Sequence, residues 1–300
     1  MTKQKSLFIA ISLTSVILIV EIVGGFLSNS LALLSDAGHM LVDFLALMMA
    51  LVAVRLATRP ATNKQTFGYY RFEVLAALFN GVLLVLVSVY IAYEAVLRLF
   101  SPEPISGSIT LVVAIIGLIA NLISMAVIRK TGLGSHEGHN HEDDINLRGA
   151  FWHILSDALT SVGVIIGAIV ILFTGWLYID AIISLIIVVL IMRGAVKLII
   201  DAGEILLESA PKNIDLDEVK QEIEKFGKIK CVHDLHIWTI TSGKYALAGH
   251  VQIEDIKISE TDKLIEDIRK MLEDKFQIEH ATIQFEFNKC YGNECRICKQ

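Results

Sequence analysis

One short pattern, a histidine followed four residues later by an aspartate, occurs twice in long apolar stretches of this sequence. His39 and Asp43 form the first pair, and His153 and Asp157 form the second. Residues four apart lie on one face of an α-helix, about 6 Å apart along its axis, so each pair presents an imidazole and a carboxylate together. Two helices that carry such pairs and face each other offer four metal ligands.

These four side chains suit a divalent metal, zinc above all. Zn²⁺ in proteins prefers tetrahedral sets of nitrogen, oxygen or sulfur ligands at about 2.0–2.2 Å, and two imidazoles with two carboxylates form an electrically neutral site around it. One ionisable group in hydrocarbon costs on the order of 3 kcal/mol, so four of them require a compensating charge. Without the ion the same groups take up protons, and metal binding expels them, which is the chemical basis of metal/proton antiport.

Other interpretations of the two pairs stay open at this level. Each pair could be a local polar contact that faces a water-filled cleft. The four groups could also surround an open metal position in a membrane metallohydrolase, although the sequence has no His-Glu-x-x-His motif and no evident general base. A passive channel and a membrane metal sensor would keep the ligands but would not move the ion against its gradient.

Six apolar stretches have the roughly 20 residues that are needed to span a hydrocarbon core. They cover residues 7–27, 31–54, 73–97, 107–128, 150–173 and 177–200. The chain is 54% hydrophobic with a mean hydropathy of +0.60, which favours the membrane class. Lys and Arg concentrate before the first stretch and in the second and fourth connections, and such loops stay in the cytoplasm. The sequence therefore predicts a multi-pass protein of the cell membrane with both termini cytoplasmic.

Further carboxylates lie inside or near these stretches. Glu21 and Asp36 are the better candidates for a role on the ion path or in proton transfer, since intramembrane carboxylates are usually functional. Glu94 and Asp180 lie where headgroup water could solvate a carboxylate, so we expect them to be interfacial.

The residues after Pro211 change to the patterns of a soluble domain. Apolar residues recur at helical spacing from Leu216, alternate over 231–240 and 245–254, return to helical spacing from Leu264 and then alternate again. The order helix, strand, strand, helix, strand predicts a small α+β domain.

We divide the chain into a six-helix transmembrane domain at 1–205 with a histidine-bearing loop at 131–147, a cytoplasmic α+β domain at 206–288 and a cysteine-containing tail at 289–300. The net charge of −6 gives no basic face for nucleic acid. ATP is not an expected partner, because the sequence has no Gly-rich phosphate-binding loop with its Lys. We expect a transporter rather than an enzyme, with no resident cofactor.

Two further groups of side chains are candidate metal ligands. His136, His139 and His141 lie in a polar stretch before the fifth span, which could capture metal or be a solvated linker. Three tail cysteines form a C-x4-C-x2-C pattern of soft ligands, one short of a closed tetrahedral site: Cys290, Cys295 and Cys298. Redox sensitivity and an unstructured end remain alternatives for the tail.

With these residues described, the chain resembles the cation diffusion facilitator family, most closely its bacterial zinc, cadmium and cobalt efflux branch. The resemblance covers nearly the whole length. It rests on the six spans, the two His/Asp pairs, the histidine-bearing loop, the segment Phe67–Glu73 and the segment Val232–Trp238 of the cytoplasmic domain.

The resemblance implies a homodimer with a ferredoxin-like, metallochaperone-like cytoplasmic domain. It implies efflux of metal in exchange for protons or potassium by alternating access, and a first His/Asp pair in this family resembles the zinc and cadmium type. Zinc is then the transported ion and a candidate regulatory ion. Strand alternation could bring four side chains together near a dimer seam, three of which resemble the family's cytoplasmic zinc ligands in position: His233, His250 and His280, with Glu286 as the fourth.

Overall fold

The structure is a computed structural model that describes residues 3–57, 61–130, 141–241 and 243–287. Parts of the helices, among them the turn that carries His153, are described by their backbone alone. The chain forms two compact units. One contains the residues up to 51 together with 77–199, and the other contains residues 52–76 together with those from 200 onward.

Within the described residues, six long helices run through the first two thirds of the chain, and apart from the start of the fifth their ends lie close to those of the predicted spans. They are α1 (Lys3–Ser28), α2 (Leu31–Ala57), α3 (Arg71–Phe100), α4 (Gly107–Lys130), α5 (His141–Thr174) and α6 (Tyr178–Leu206). The prediction of a six-helix membrane domain is confirmed in the number and the order of its helices.

The start of α5 corrects one prediction. The sequence predicts a polar loop over 131–147, but α5 begins at His141. Glu142, Asp143 and Asp144 therefore lie in the first turn of this helix and not in a loop. Polarity alone does not distinguish a loop from the solvated start of a helix.

The surfaces of these helices suit lipid. Three described stretches are long and apolar enough to cross a membrane, namely Arg71–Phe100, Asp157–Thr174 and Tyr178–Leu206, and two shorter apolar stretches are Ser15–Ser28 and Gly107–Ile123. Large apolar side chains such as Leu86 and Val189 are exposed on the outside of the helices. An apolar exterior of this extent is stable in a bilayer rather than in water.

A carboxylate from α6 holds the N-terminus of α2. Asp180 is only 3% exposed, and its Oδ1 accepts a hydrogen bond from Ser30 Oγ at 2.6 Å. The backbone N–H of Leu31 donates to Asp180 Oδ2 at 2.7 Å. An acidic group at a helix N-terminus satisfies free N–H groups and complements the dipole. The expectation of an interfacial, water-solvated Asp180 is therefore wrong, because this side chain turns inward to cap a neighbouring helix.

Arg98 also turns inward and fixes the turn before α2. Its Nη1 donates to the backbone oxygen of Asn29 at 2.7 Å, and its Nη2 donates to Asn29 Oδ1 at 3.1 Å. Asn29 has a φ of 56°, a left-handed conformation that asparagine adopts more readily than most residues. Together with the Asp180 cap, this contact sets where α2 begins.

The second unit contains an α+β domain whose elements follow the predicted order. They are α7 (Leu216–Glu224), β1 (Ile229–Thr241), β2 (Lys244–Ile253), α8 (Ile258–Phe276) and β3 (His280–Glu286). The central strand β2 pairs antiparallel with β1 and parallel with β3. A parallel pair needs a crossover connection, which α8 supplies.

The core of this domain lies between the two helices and one face of the sheet. Its fully buried side chains include Val219, Ile223, Val232, Leu247, Val251, Ile268 and Leu272. Because side chains alternate along a strand, the residues next to these in β1 and β2 point to the opposite face.

Residues 52–76 join the second unit through side-chain contacts. Thr241 Oγ1 donates to Glu73 Oε2 at 2.6 Å, and Arg71 forms an ion pair with Glu208 at 2.7 Å. The sequence predicts a division at one point of the chain, near residue 205, whereas the second unit also includes the end of α2 and the first residues of α3.

We expect Asp180→Ala to lower the free energy of unfolding by about 1–3 kcal/mol, because it leaves the buried Ser30 hydroxyl and the Leu31 N–H without an acceptor. The control is Glu103→Ala, which removes an exposed acceptor of Asn29 at the same end of the helices. It should lower the free energy of unfolding by less than about 1 kcal/mol. Denaturation of both variants in the same detergent measures the difference, and equal losses would contradict the capping role.

Candidate metal sites

The helices α2 and α5 bring together three of the four predicted intramembrane ligands. His39 Nε2 lies 3.4 Å from Asp43 Oδ2, one turn along α2. The same nitrogen lies 3.5 Å from Asp157 Oδ1 on α5. Between 15% and 23% of each side chain is exposed. One imidazole thus lies between two carboxylates that come from different helices.

These separations match those between ligands of one metal ion. Ligand atoms that each lie about 2.1 Å from a tetrahedral zinc are about 3.4 Å from one another. A nitrogen–oxygen hydrogen bond is shorter, typically about 2.9 Å. The two distances from His39 fit ligands of one cation better than direct hydrogen bonds, but the ligand atoms of His39, Asp43 and Asp157 do not all lie within 4.8 Å of one another, so a shared ion would draw the two carboxylates closer together.

The fourth predicted ligand, His153, lies in α5 one turn before Asp157. The helical spacing places both residues on the same face of α5. The side chain of His153 lies outside the described residues, so the complete set of two imidazoles and two carboxylates stays a prediction.

A second contact joins α2 to α5 beside these ligands. Thr160 Oγ1 donates to Asp36 Oδ1 at 2.7 Å, and Ser161 Oγ donates to Asp36 Oδ2 at 3.2 Å. Asp36 lies nearly one turn before His39, and Thr160 lies nearly one turn after Asp157. The sequence predicts a place on the ion path for Asp36 but does not predict this contact. The available signal was the pair of hydroxyl residues that follows Asp157 on α5.

Three side chains of the cytoplasmic domain converge on the sheet face opposite the helices. His233 of β1 is paired directly with His250 of β2. Glu286 of β3 reaches both, with Oε2 3.3 Å from His233 Nε2 and Oε1 2.7 Å from His250 Nδ1. Within the part of the chain that the structure describes, these residues are the one group of three His, Cys, Asp or Glu whose ligand atoms all lie within 4.8 Å of one another.

The chemistry of this cluster fits a divalent metal. The His233 side chain is 7% exposed, and its Nδ1 has no hydrogen-bond partner among the described residues. Burial acts to raise the pKa of Glu286, but the hydrogen bond with His250 and the charges of both histidines lower this pKa below its ordinary value. An ionised carboxylate with two imidazoles is a typical set of zinc ligands.

A bulge in β1 adds a polar side chain that the alternating sequence pattern does not predict. Between His233 and His236, β1 contains one more residue than β2, and Asp234 there has a φ of 48°. Its Oδ2 lies 3.8 Å from His250 Nε2. The alternating pattern predicted a regular strand, and a bulge changes which side chains reach a given face.

His280, which was predicted to join this cluster, is not brought to it within one chain. His280 pairs with Ala246 at the start of β3, whereas Gln284 pairs with His250, so about 13 Å of strand separates the two positions. The His280 ring instead contacts Phe67 edge-on, with 5.3 Å between the ring centroids. A role for His280 across a dimer seam stays a prediction.

The two weaker candidate groups lie mostly outside the described residues. This holds for His136 and His139 and for all three tail cysteines, Cys290, Cys295 and Cys298. His141 begins α5, but its side chain is not among those described. Metal binding by either group stays a prediction.

Two family profiles together match almost the whole chain. The cation efflux transmembrane domain matches residues 7–207, and the cytoplasmic domain of cation efflux proteins matches residues 211–287. The chain belongs to the cation efflux family. The resemblance to cation diffusion facilitators in the sequence is thereby confirmed.

Named relatives within the cation efflux family align over nearly their full length. The metal cation efflux system protein CzcD of Cupriavidus metallidurans is 46% identical over 287 residues, which cover 96% of this chain and 88% of CzcD. The cadmium, cobalt and zinc/H(+)-K(+) antiporter of Bacillus subtilis is 43% identical over 297 residues, 99% of this chain and 93% of that protein. The zinc transporter ZitB of Escherichia coli is 40% identical over 294 residues, 98% of this chain and 90% of ZitB.

A solved structure also aligns with part of the chain. It is the metal-bound C-terminal domain of the CzcD transporter from Cupriavidus metallidurans, 43% identical, which covers 25% of this chain and 100% of that domain with a TM-score of 0.23.

Membership of the cation efflux family decides between the classes of function that the sequence left open. The chain is a divalent metal cation efflux transporter, and it is a multi-pass membrane protein. Because members of this family are transporters rather than enzymes, the metallohydrolase interpretation is not favoured, and neither is a channel or a sensor.

We expect zinc to bind the cytoplasmic cluster. Loss of an outer-shell partner lowers the affinity for a metal by roughly tenfold, and Glu286→Gln should lower the affinity for zinc by more than this. The physical reason is the loss of the charged oxygen that reaches both histidines. Titration calorimetry of the full chain with zinc, in an Asp157→Asn background that impairs the intramembrane site, measures the affinity. The control His236→Ala changes an exposed histidine of β1, the strand that carries His233, and should change the affinity for zinc by less than about threefold. Equal effects of both changes would contradict the assignment.

Proposed function

We propose that this chain exports zinc from the cytoplasm, with cadmium or cobalt as further substrates, in exchange for protons or potassium. The site of exchange is the set of His39, Asp43, His153 and Asp157, used by alternating access. The single observation that supports this most is the position of His39 Nε2, 3.4 Å and 3.5 Å from carboxylate oxygens of two different helices inside an apolar bundle.

The ligand chemistry supports zinc as the leading substrate. Imidazole nitrogen suits zinc, whereas manganese and magnesium sites use mostly oxygen ligands. The names of the relatives agree with this choice, since they describe a zinc transporter and a cadmium, cobalt and zinc antiporter.

Exchange follows from the charges at the site. Zinc at Asp43 and Asp157 is neutralised by their two negative charges, and after zinc leaves, the same carboxylates and His39 attract protons or another cation. The ligands come from both α2 and α5, so a change in how these helices pack would open the site to one side of the membrane and then to the other.

The cytoplasmic domain supports two further parts of the proposal. Its family profile is a dimerisation domain by name, which favours a homodimer with the domain and both termini in the cytoplasm of a cell-membrane protein. His233, His250 and Glu286 would then bind zinc as a regulatory ion, because their ligand atoms all lie within 4.8 Å of one another.

Transport by the purified chain in sealed vesicles tests the proposal. When the lumen is made more acidic than the outside, zinc should accumulate in the lumen against its own gradient. Asp157→Asn should reduce the rate by more than the roughly 10–100-fold effect of losing an outer-shell partner, because it removes a charged ligand. Replacing the proton gradient by a potassium gradient compares the two counter-ions directly.

A matched control is Glu94→Gln, which removes a carboxylate of α3 that pairs with Arg98 and not with the ligands. This variant should transport zinc at a rate within about threefold of the unaltered chain. Zinc that only equilibrates across the membrane would indicate a channel, and absence of any zinc movement would indicate a sensor. Either result would overturn the proposed exchange.

A further inference from the structure

Glu21 is a buried carboxyl group in α1 with no hydrogen-bonding partner among the described residues. Its side chain is 1% exposed, and neither Oε1 nor Oε2 accepts a hydrogen bond from a described donor. The residues one turn before it, Ile17 and Leu18, belong to an apolar cluster with Met40 of α2 and Ala120 of α4. An ionised carboxylate in such surroundings is strongly unfavourable, whereas a protonated one is tolerated.

The helix α4 approaches Glu21 through a glycine. A Cβ atom at Gly117 would lie 2.4 Å from Glu21 Oε1, so only a residue without a side chain leaves room for the carboxyl group at this position. The contact is close and contributes no charge and no side-chain donor. Packing against α4 therefore confines the carboxyl group of Glu21, and no side chain of α4 at this position neutralises it.

The charges that act most strongly on Glu21 are both negative. They belong to Asp36 of α2 and Asp157 of α5. Asp36 accepts hydrogen bonds from the hydroxyls of Thr160 and Ser161, whereas the oxygens of Glu21 have no donor among the described residues that would stabilise a negative charge. The neutral, protonated carboxyl group is therefore the form that suits the position of Glu21.

We propose that Glu21 carries a proton that is exchanged for the metal, an inference that rests on the proposed antiport at His39, Asp43 and Asp157. When zinc binds between these ligands, its positive charge cancels the negative charge that Asp157 exerts on Glu21. The carboxyl O–H of Glu21 then releases H⁺ and becomes a carboxylate. When zinc leaves, the charge of Asp157 is restored and Glu21 takes up one H⁺ again, so the step is balanced.

The surroundings of Glu21 favour a proton over potassium as its ligand. A potassium ion needs several oxygen ligands to replace its water shell. The close approach of Gly117 brings no side-chain oxygen to Glu21, and neither Glu21 oxygen has a hydrogen-bonding partner among the described residues. A proton needs a single oxygen and no additional space.

Proton release on zinc binding tests this role. The purified full-length chain is mixed with zinc in a weakly buffered detergent solution that contains a pH indicator, and protons released per zinc bound are counted. Glu21→Gln, which resembles the protonated group, should release about one proton fewer per chain. Its affinity for zinc in alkaline solution should stay within about threefold of the unaltered chain, since Glu21 is not a ligand. Glu21→Asp, which keeps a titratable group, should restore much of the release.

Transport adds a readout that a structural role would not change. In vesicles, Glu21→Gln should still let zinc flow down its own gradient but should lose most of the acceleration that an acidic lumen provides. Gly117→Ala should act in the same direction, because its Cβ displaces the Glu21 carboxyl group.

The outcomes separate this inference from the proposed function. Unchanged proton release in Glu21→Gln, with zinc binding abolished by His39→Ala, overturns the role of Glu21 alone. A loss of zinc binding in Glu21→Gln also overturns it and makes Glu21 a metal ligand. Reduced proton release in Glu21→Gln, with zinc binding unaffected by His39→Ala, supports Glu21 and overturns the proposed metal site.

Discussion

An ionisable side chain inside an apolar helix bundle has to be compensated within the bundle, because neither lipid nor packed apolar side chains can solvate it. The membrane helices meet this constraint with groups from neighbouring helices. Asp180 of α6 accepts the free N–H groups of α2, Asp36 of α2 accepts two hydroxyls of α5, and Arg98 of α3 binds the turn between α1 and α2. Each polar contact therefore also determines how two helices pack, and together they position the helix pair that carries the intramembrane ligands.

The same constraint explains the difference between the two candidate metal sites. In the membrane, His39 lies 3.4 Å and 3.5 Å from carboxylate oxygens of Asp43 and Asp157, and the negative charges of these two groups require a cation or protons to compensate them. In the cytoplasmic domain, one sheet face packs against helices and the other is available for chemistry. There His250 and Glu286 form a direct contact at 2.7 Å, and water solvates part of both side chains.

Much of the fold was predictable from the sequence. A membrane span must contain about 20 apolar residues, so the six helices were predicted by length and hydropathy. The change from period 3.6 to period 2 predicted the order of helices and strands in the cytoplasmic domain. The errors have physical causes. The early start of α5 at His141 was hidden because a polar first helical turn resembles a loop. The bulge at Asp234 was hidden because alternation describes only regular strands.

The sequence by itself determined which side chains share a face, as His39 and Asp43 do on α2, because that relation depends only on the local geometry of a helix or a strand. Only the tertiary structure decided which faces meet. It brought Asp157 to His39, Asp180 to the start of α2, and Glu286 rather than His280 to the paired histidines of the sheet. These contacts join residues that are far apart in the chain. They depend on helix packing and strand register, which no local pattern of residues specifies.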